Sequence, residues 1–132
     1  MPSFSVGQAA ELLGVSADTV RRWMDQGELP ASRSTGGRRA VDGATLAQFA
    51  VERAAANTTA LPVVESARNH FPGLVTKVIK DKVMAQVEIQ AGPFRVVSLM
   101  SREAVDELAL APGVFAVASV KSTNVVVEIT EP

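Results

Sequence analysis

Cysteine is absent from the 132 residues. Disulfides, zinc-thiolate sites and thiol catalysis are therefore excluded, and a reducing compartment is permitted. Tyrosine is absent too, and the aromatic set is five phenylalanines and one tryptophan. The single histidine, His70, cannot build a metal site alone, and it reads as an exposed or loosely packed turn residue. Acidic residues are scattered without a pair that spacing would bring together, and Gly36-Gly37 lacks the lysine and helix start of a phosphate loop. The expectation is a protein that is not an enzyme, with no organic cofactor and no bare metal ion. No apolar run reaches about 18 residues and no cationic segment leads into an apolar one at the start. A cytoplasmic protein without a membrane partner is expected. An excess of one charge is also missing, since 13 Lys and Arg stand against 14 Asp and Glu. Any nucleic-acid surface must be local.

What is present divides by period. Over residues 5 to 56, Val6, Ala9, Ala10, Leu12 and Leu13 fall on one helical face, Gly14 interrupts, and Ala17, Val20, Trp23 and Met24 form the next stripe. Ser5 and Ser16 stand as N-caps, and Gly27 as the second helix's stop. The inward stripe makes Trp23 a core residue, so Thr19, Arg21 and Arg22 face outward. Gly36-Gly37 then tips a predicted β-hairpin, with Arg33, Arg38 and Arg39 on its arms. Residues 21 to 39 hold five arginines against Asp25 and Glu28. Asp42 to Ala56 returns to helix, where Leu46, Phe49, Ala50 and Arg53 close a small core.

This segment resembles the winged helix-turn-helix of the MerR and excisionase type. The resemblance rests on Val6 to Leu13, Val15-Ser16, Thr19 to Trp23, Gly27-Glu28-Leu29-Pro30 and Gly36-Gly37-Arg38-Arg39. Many members carry Gly-Gly-His-Arg-Arg at the wing, where this chain has Arg38, Arg39 and Ala40 after the glycines. The resemblance implies double-stranded DNA as partner, bound through Ser16, Thr19, Arg21, Arg22, Arg33, Arg38 and Arg39. The arginines would chiefly neutralise phosphate, with Thr19 and one recognition-helix arginine at base edges.

From Leu74 onward the period becomes two. Leu74 to Lys80, Val83 to Ile89, Phe94 to Met100, Val114 to Lys121 and Asn124 to Ile129 read as five strands, with a short helix at 102 to 109 before the fourth. A small closed sheet of the OB type is expected. Its few rings, Phe71, Phe94 and Phe115, leave little for stacking single-stranded nucleic acid.

Two segments of this half are rich in donors. Ser66-Ala67-Arg68-Asn69 and Val120-Lys121-Ser122-Thr123 supply hydroxyls, amides and two cations, and neither contains a carboxylate. That set suits a tetrahedral dianion. Ser101 opens Ser-Arg-Glu-Ala, where it either caps a helix or leaves its hydroxyl for a ligand. With Pro72-Gly73, Leu99 to Glu103, Leu110 to Gly113 and Val120 to Val125, these segments resemble the molbindin family, also called Mop or TOBE domains, which bind molybdate and tungstate. The resemblance implies that Ser66, Arg68, Ser101, Lys121 and Ser122 approach the oxyanion, with Ala67 and Asn69 as backbone or scaffold. It also implies a site between subunits, in a homo-oligomer from dimer to hexamer.

The expected fold class is therefore α+β. A winged helix-turn-helix (1–56) and a linker (57–65) precede an oxyanion-binding, five-stranded OB-like barrel with one short helix (66–132). The expected function is a molybdate- or tungstate-responsive transcriptional regulator. The alternatives are a molybdate storage or homeostasis protein, or a DNA-binding protein whose barrel serves only oligomerisation.

Overall fold

The computed structural model describes residues 2–34, 36–57 and 66–130. The chain forms two compact units, Met1–Pro62 and Val63–Pro132. Most of the expected linker, from residue 58 on, lies outside the described residues.

In the front unit each helix is defined by its ends. α1 (Val6–Leu13) begins at Ser5, whose hydroxyl accepts from the Gln8 amide while the Gln8 side chain accepts from the Ser5 amide. This capping box satisfies two backbone donors that a helix start leaves open. The helix ends at Gly14, whose φ of 70° is left-handed and suits glycine. α2 (Ala17–Asp25) starts at Ser16, which accepts from the Thr19 amide at 3.1 Å. β2 (Ser32–Arg33) and β3 (Arg39–Asp42) form the expected hairpin, closed by the Ser34 amide on the Arg38 carbonyl at 2.7 Å. α3 (Gly43–Asn57) follows, its first turn capped by Asp42.

One strand was not expected: β1 (Ser3–Ser5) pairs antiparallel with β3, giving the order β1-β3-β2. Ala9, Ala10, Val20, Trp23, Leu29, Val41 and Leu46 make the core. Trp23 is 5% exposed, as its stripe required. Phe49 packs on it with ring centroids 5.1 Å apart, and the Arg53 guanidinium lies 4.6 Å over the indole. α3 is thereby fastened to α2 by an aromatic pair and a cation–π contact.

The back unit is a curled antiparallel sheet of β4 (Asn69–Lys80), β5 (Met84–Ala91), β6 (Phe94–Ser101) and β7 (Phe115–Val120), in the order β6-β5-β4-β7. A short helix, α4 (Arg102–Glu107), precedes β7. β4 pairs with β7 through its first half and with β5 through its second, with a register shift between Val75 and Lys77. Alternation along β5 turns Ala85, Val87 and Ile89 inward, and these join Val75 and Val105 in the core. Val83 is not on that inner row. It precedes the strand and is 70% exposed.

Two expectations about this sheet are corrected. β4 starts at Asn69, five residues earlier than the apolar alternation shows, because Pro72-Gly73 runs within the ladder and does not break it. Glycine is required there: a Cβ on Gly73 would lie 2.3 Å from the Gln90 carbonyl oxygen. Among the described residues there is also no fifth strand, and the four-stranded sheet does not close into a barrel. Ser122–Asn124 is a turn of 3-10 helix, and residues 125–130 form no ladder with the described residues. Val126, Val127 and Ile129 are 84 to 89% exposed. Strand-forming sequence needs a partner edge, and β6 and β7 remain open edges of this sheet.

Gly73→Ala should destabilise the back unit by about 1–3 kcal/mol, because the new methyl forces β4 and β5 apart; an unchanged denaturation midpoint would contradict this. Three carboxylates of this unit lie below their ordinary range. Asp81 accepts from the Met84 and Val83 amides, Glu88 from Arg95, and Asp106 from Lys80. A depressed folded value contributes stability that is full above the unfolded value and is lost as pH falls from there through the folded one. The unit's melting temperature should stay level near neutrality and drop below about pH 4. In Asp81→Asn the drop should be shallower, and a melting temperature rising on acidification would contradict the assignment.

Candidate functional site

The β4–β7 ladder brings the two donor-rich segments of the back unit together. Asn69 pairs with Val120, and the Asn69 Nδ2 donates to the Val120 carbonyl at 2.9 Å. Ser66 to Arg68 therefore enter the sheet beside the place where Lys121 and Ser122 leave it. Ala67 is buried, whereas Ser66, Arg68, Lys121 and Ser122 are exposed. Those four exposed side chains make no hydrogen bond or ion pair among the described residues. They are donors held close to one another in sequence pairing and not consumed by the fold.

His70 is a half-buried residue of β4, not a turn residue. Its Nε2–H donates to the Ala67 carbonyl at 2.9 Å. With the Asn69 amide, this gives the 66–69 segment two fixed points. Ser101 is placed differently. Its hydroxyl accepts from the Ala104 amide at 3.1 Å and caps α4. Ser101 pairs with Met84, beside the Lys80 end of β4, whereas the two donor-rich segments meet at its Asn69 end. One chain brings Ser66, Ala67, Arg68, Asn69, Lys121 and Ser122 together and leaves Ser101 apart. No group of three or more His, Asp or Glu among the described residues could hold a metal ion, and no helix among them is long and apolar enough to cross a membrane.

In the front unit four of the five predicted arginines, Arg21, Arg33, Arg38 and Arg39, line one cleft of about 570 Å³ together with Ser5 and Gly7, and Arg22 does not line it. No acidic residue lines it. α2 spans nine residues, or about 14 Å at 1.5 Å per residue, enough to enter a major groove. The hydroxyls of Ser16 and Thr19 lie 2.9 Å apart at its start. The arginines are not equivalent. Arg21 pairs with Asp18 at 2.9 Å, Arg33 donates to the Gly37 carbonyl at 2.9 Å, and Arg39 pairs with Asp25 at 2.7 Å. For Arg22 and Arg38 no partner is recorded among the described residues. The Arg21–Asp18 pair is an i,i+3 contact within α2, whereas the Arg39 pairing crosses from wing to helix and that of Arg33 closes the wing on itself, so spacing alone did not disclose the latter two.

A helix-turn-helix domain model matches residues 3–54, and a TOBE domain model matches residues 65–127. A helix-turn-helix domain is thus followed along the chain by a TOBE domain. The TOBE match spans every residue of the oxyanion set, including Ser101, and the helix-turn-helix match spans every residue of the DNA set. Three solved structures are similar to the TOBE half. A molybdate-binding protein from Sporomusa ovata is 28% identical over 51% of this chain and 100% of its own, with a TM-score of 0.49. MopII from Clostridium pasteurianum is 36% identical over 50% of this chain and 100% of its own, with a TM-score of 0.47. The cytoplasmic molybdate-binding protein ModG is 35% identical over 49% of this chain and 47% of its own, with a TM-score of 0.47. No curated protein matches the chain.

Proposed function

We propose that this protein is a DNA-binding transcriptional regulator whose TOBE domain binds molybdate or tungstate. The observation that carries the oxyanion half is the Asn69–Val120 pairing inside the TOBE match, which gathers Ser66, Arg68, Lys121 and Ser122 without a carboxylate in either segment. A tetrahedral dianion is met by hydroxyl and amide donors and two cations, with no carboxylate inside either segment, although Glu65 directly precedes Ser66. The helix-turn-helix match and the arginine-lined cleft support the DNA half. Its location on this reading is the cytoplasm, with the DNA.

The oxyanion site is shared between copies. Residues 125–129 are strand-forming, exposed and unpaired, and the sheet they leave has two open edges. A second copy supplies the missing pairing, because main-chain groups at an open edge bind an added strand. Ser101, held away from the other donors in its own chain, reaches the anion only from such a partner. Ligand binding thus favours one assembly over another. It changes DNA affinity by the difference in its affinity for the DNA-competent and DNA-incompetent states, and by nothing else.

Molybdate at one hundred times its dissociation constant should stabilise the fold by about 2.7 kcal/mol per site, with equal sulfate as control. Lys121→Ala should weaken that gain with the unliganded melting temperature preserved; an unchanged molybdate response would remove Lys121 from the site. For a dimer making about three phosphate contacts per chain, log affinity for duplex DNA against log salt should have a slope near −5. Arg22→Ala should flatten it, and a slope near zero in the wild type would argue against DNA. Molybdate stabilisation without duplex binding would make the protein a molybdate store; duplex binding indifferent to molybdate would leave the TOBE domain as an oligomerisation module.

A further inference from the structure

An acidic residue on a DNA-facing helix ordinarily opposes binding, because it repels phosphate. Asp25, the last residue of α2, does not stand alone in that way. Its Oδ1 lies 2.7 Å from Arg39 Nη1 on β3 of the wing. The same nitrogen is 3.5 Å from the Arg21 carbonyl oxygen, one turn earlier on α2. One guanidinium of the wing thus addresses both a side chain and the backbone of the recognition helix. Of the five arginine and lysine side chains in ion pairs among the described residues, that of Arg39 is the least exposed, at 34%. The Arg21–Asp18 pair, with side chains 54% and 92% exposed, is looser and readily exchanged for another anion.

We propose that Arg39 is a positioning residue and not a phosphate contact. With Asp25 it braces the wing against the recognition helix, and phosphate is met instead by Arg22 and Arg38, with Arg21 once it leaves Asp18. This rests on the DNA reading above. β1 pairs with β3 as far as Ala40 and Val41 is buried, so the wing is anchored at its base, and beyond Ala40 little else fixes its angle. β2 is two residues long, and Arg33 is spent on the Gly37 carbonyl within the hairpin itself. Arg38 adjoins Arg39 in sequence, so the brace sets where Arg38 arrives relative to Arg22 on α2. A fixed separation between two cations spares the protein the ordering of mobile arginines on binding.

The two roles of Arg39 predict opposite signs. A phosphate contact adds to the salt slope, whereas a brace alters affinity and leaves the slope alone. The test uses the full chain and a duplex that the wild type selects from a random-sequence pool, with affinity measured across a salt series. Asp25→Asn should weaken binding at an unchanged slope, by a factor within the roughly 2- to 150-fold that direct pairwise couplings span. That loss would occur although a negative charge has been removed. Combining Asp25→Arg with Arg39→Asp should recover affinity lost in Arg39→Asp alone. Tighter or unchanged binding by Asp25→Asn would overturn the brace. So would a slope about 0.9 smaller per chain in Arg39→Ala, with no recovery on exchanging the charges. Asp25 is 62% exposed in its side chain, so the single conservative variant should fold and decides the matter even if the exchanged pair does not. A wild type that selects no duplex would overturn the DNA reading, and the brace with it.

Discussion

The antiparallel pairing of β4 with β7 determines what the back unit can do. It closes a loop of 51 residues with the side chain of Asn69 on the carbonyl of Val120, and it is the only reason that Ser66 to Arg68 and Lys121-Ser122 are neighbours. Two further constraints hold β4 in place for that task. Gly73 lets the strand pass close to the Gln90 carbonyl, and the register shift between Val75 and Lys77 redirects it from β7 to β5. A bulge of this kind bends a strand and raises its twist. The curl of the sheet and the meeting of the donors are thus consequences of one strand with two partners.

The front unit solves a different problem, which is to present a helix and a wing at a fixed angle from a small core. Trp23 faces inward against Phe49 and beneath Arg53, so α3 grips the buried side of α2 while its outer side keeps Thr19, Arg21 and Arg22. The opposite end of α2 is tied to the wing through Asp25 and Arg39. Charge that looks like a single basic surface in composition is divided in space. Arg21, Arg33 and Arg39 are engaged within the unit, and Arg22 and Arg38 have no side-chain partner among the described residues.

Elements governed by local chemistry were legible in the sequence. Ser5 and Ser16 cap because a hydroxyl three residues before an amide can reach it, and the stripe of Val20, Trp23 and Met24 fixes the inward face of α2. The four strands of the sheet, the short helix after Ser101 and the hairpin at Gly36-Gly37 were legible for the same reason. The features missed are those that depend on remote partners. β1 is three residues long and pairs with β3, nearly forty positions away, and the start of β4 was hidden by a proline and glycine that normally mark a turn. The fifth strand expected over Asn124 to Ile129 is not formed among the described residues, where a 3-10 turn and unladdered chain follow β7. At the candidate site the residue types are those from which an anion-binding set is proposed. That Ser101 caps α4 at the far end of β4, and that Arg39 is engaged by Asp25, follow from pairing register and not from spacing.

The central claim is that oxyanion and DNA are bound by linked states of one assembly. It is tested most directly by measuring molybdate affinity of the full chain by calorimetry, with and without a saturating duplex that the protein itself selects. Linkage requires that DNA change molybdate affinity by the same factor by which molybdate changes DNA affinity, a factor of about 5 to 150 in typical couplings. A matched change in both directions is the predicted result. Equal molybdate affinity in the presence and absence of duplex would contradict the account, even if each ligand binds tightly by itself.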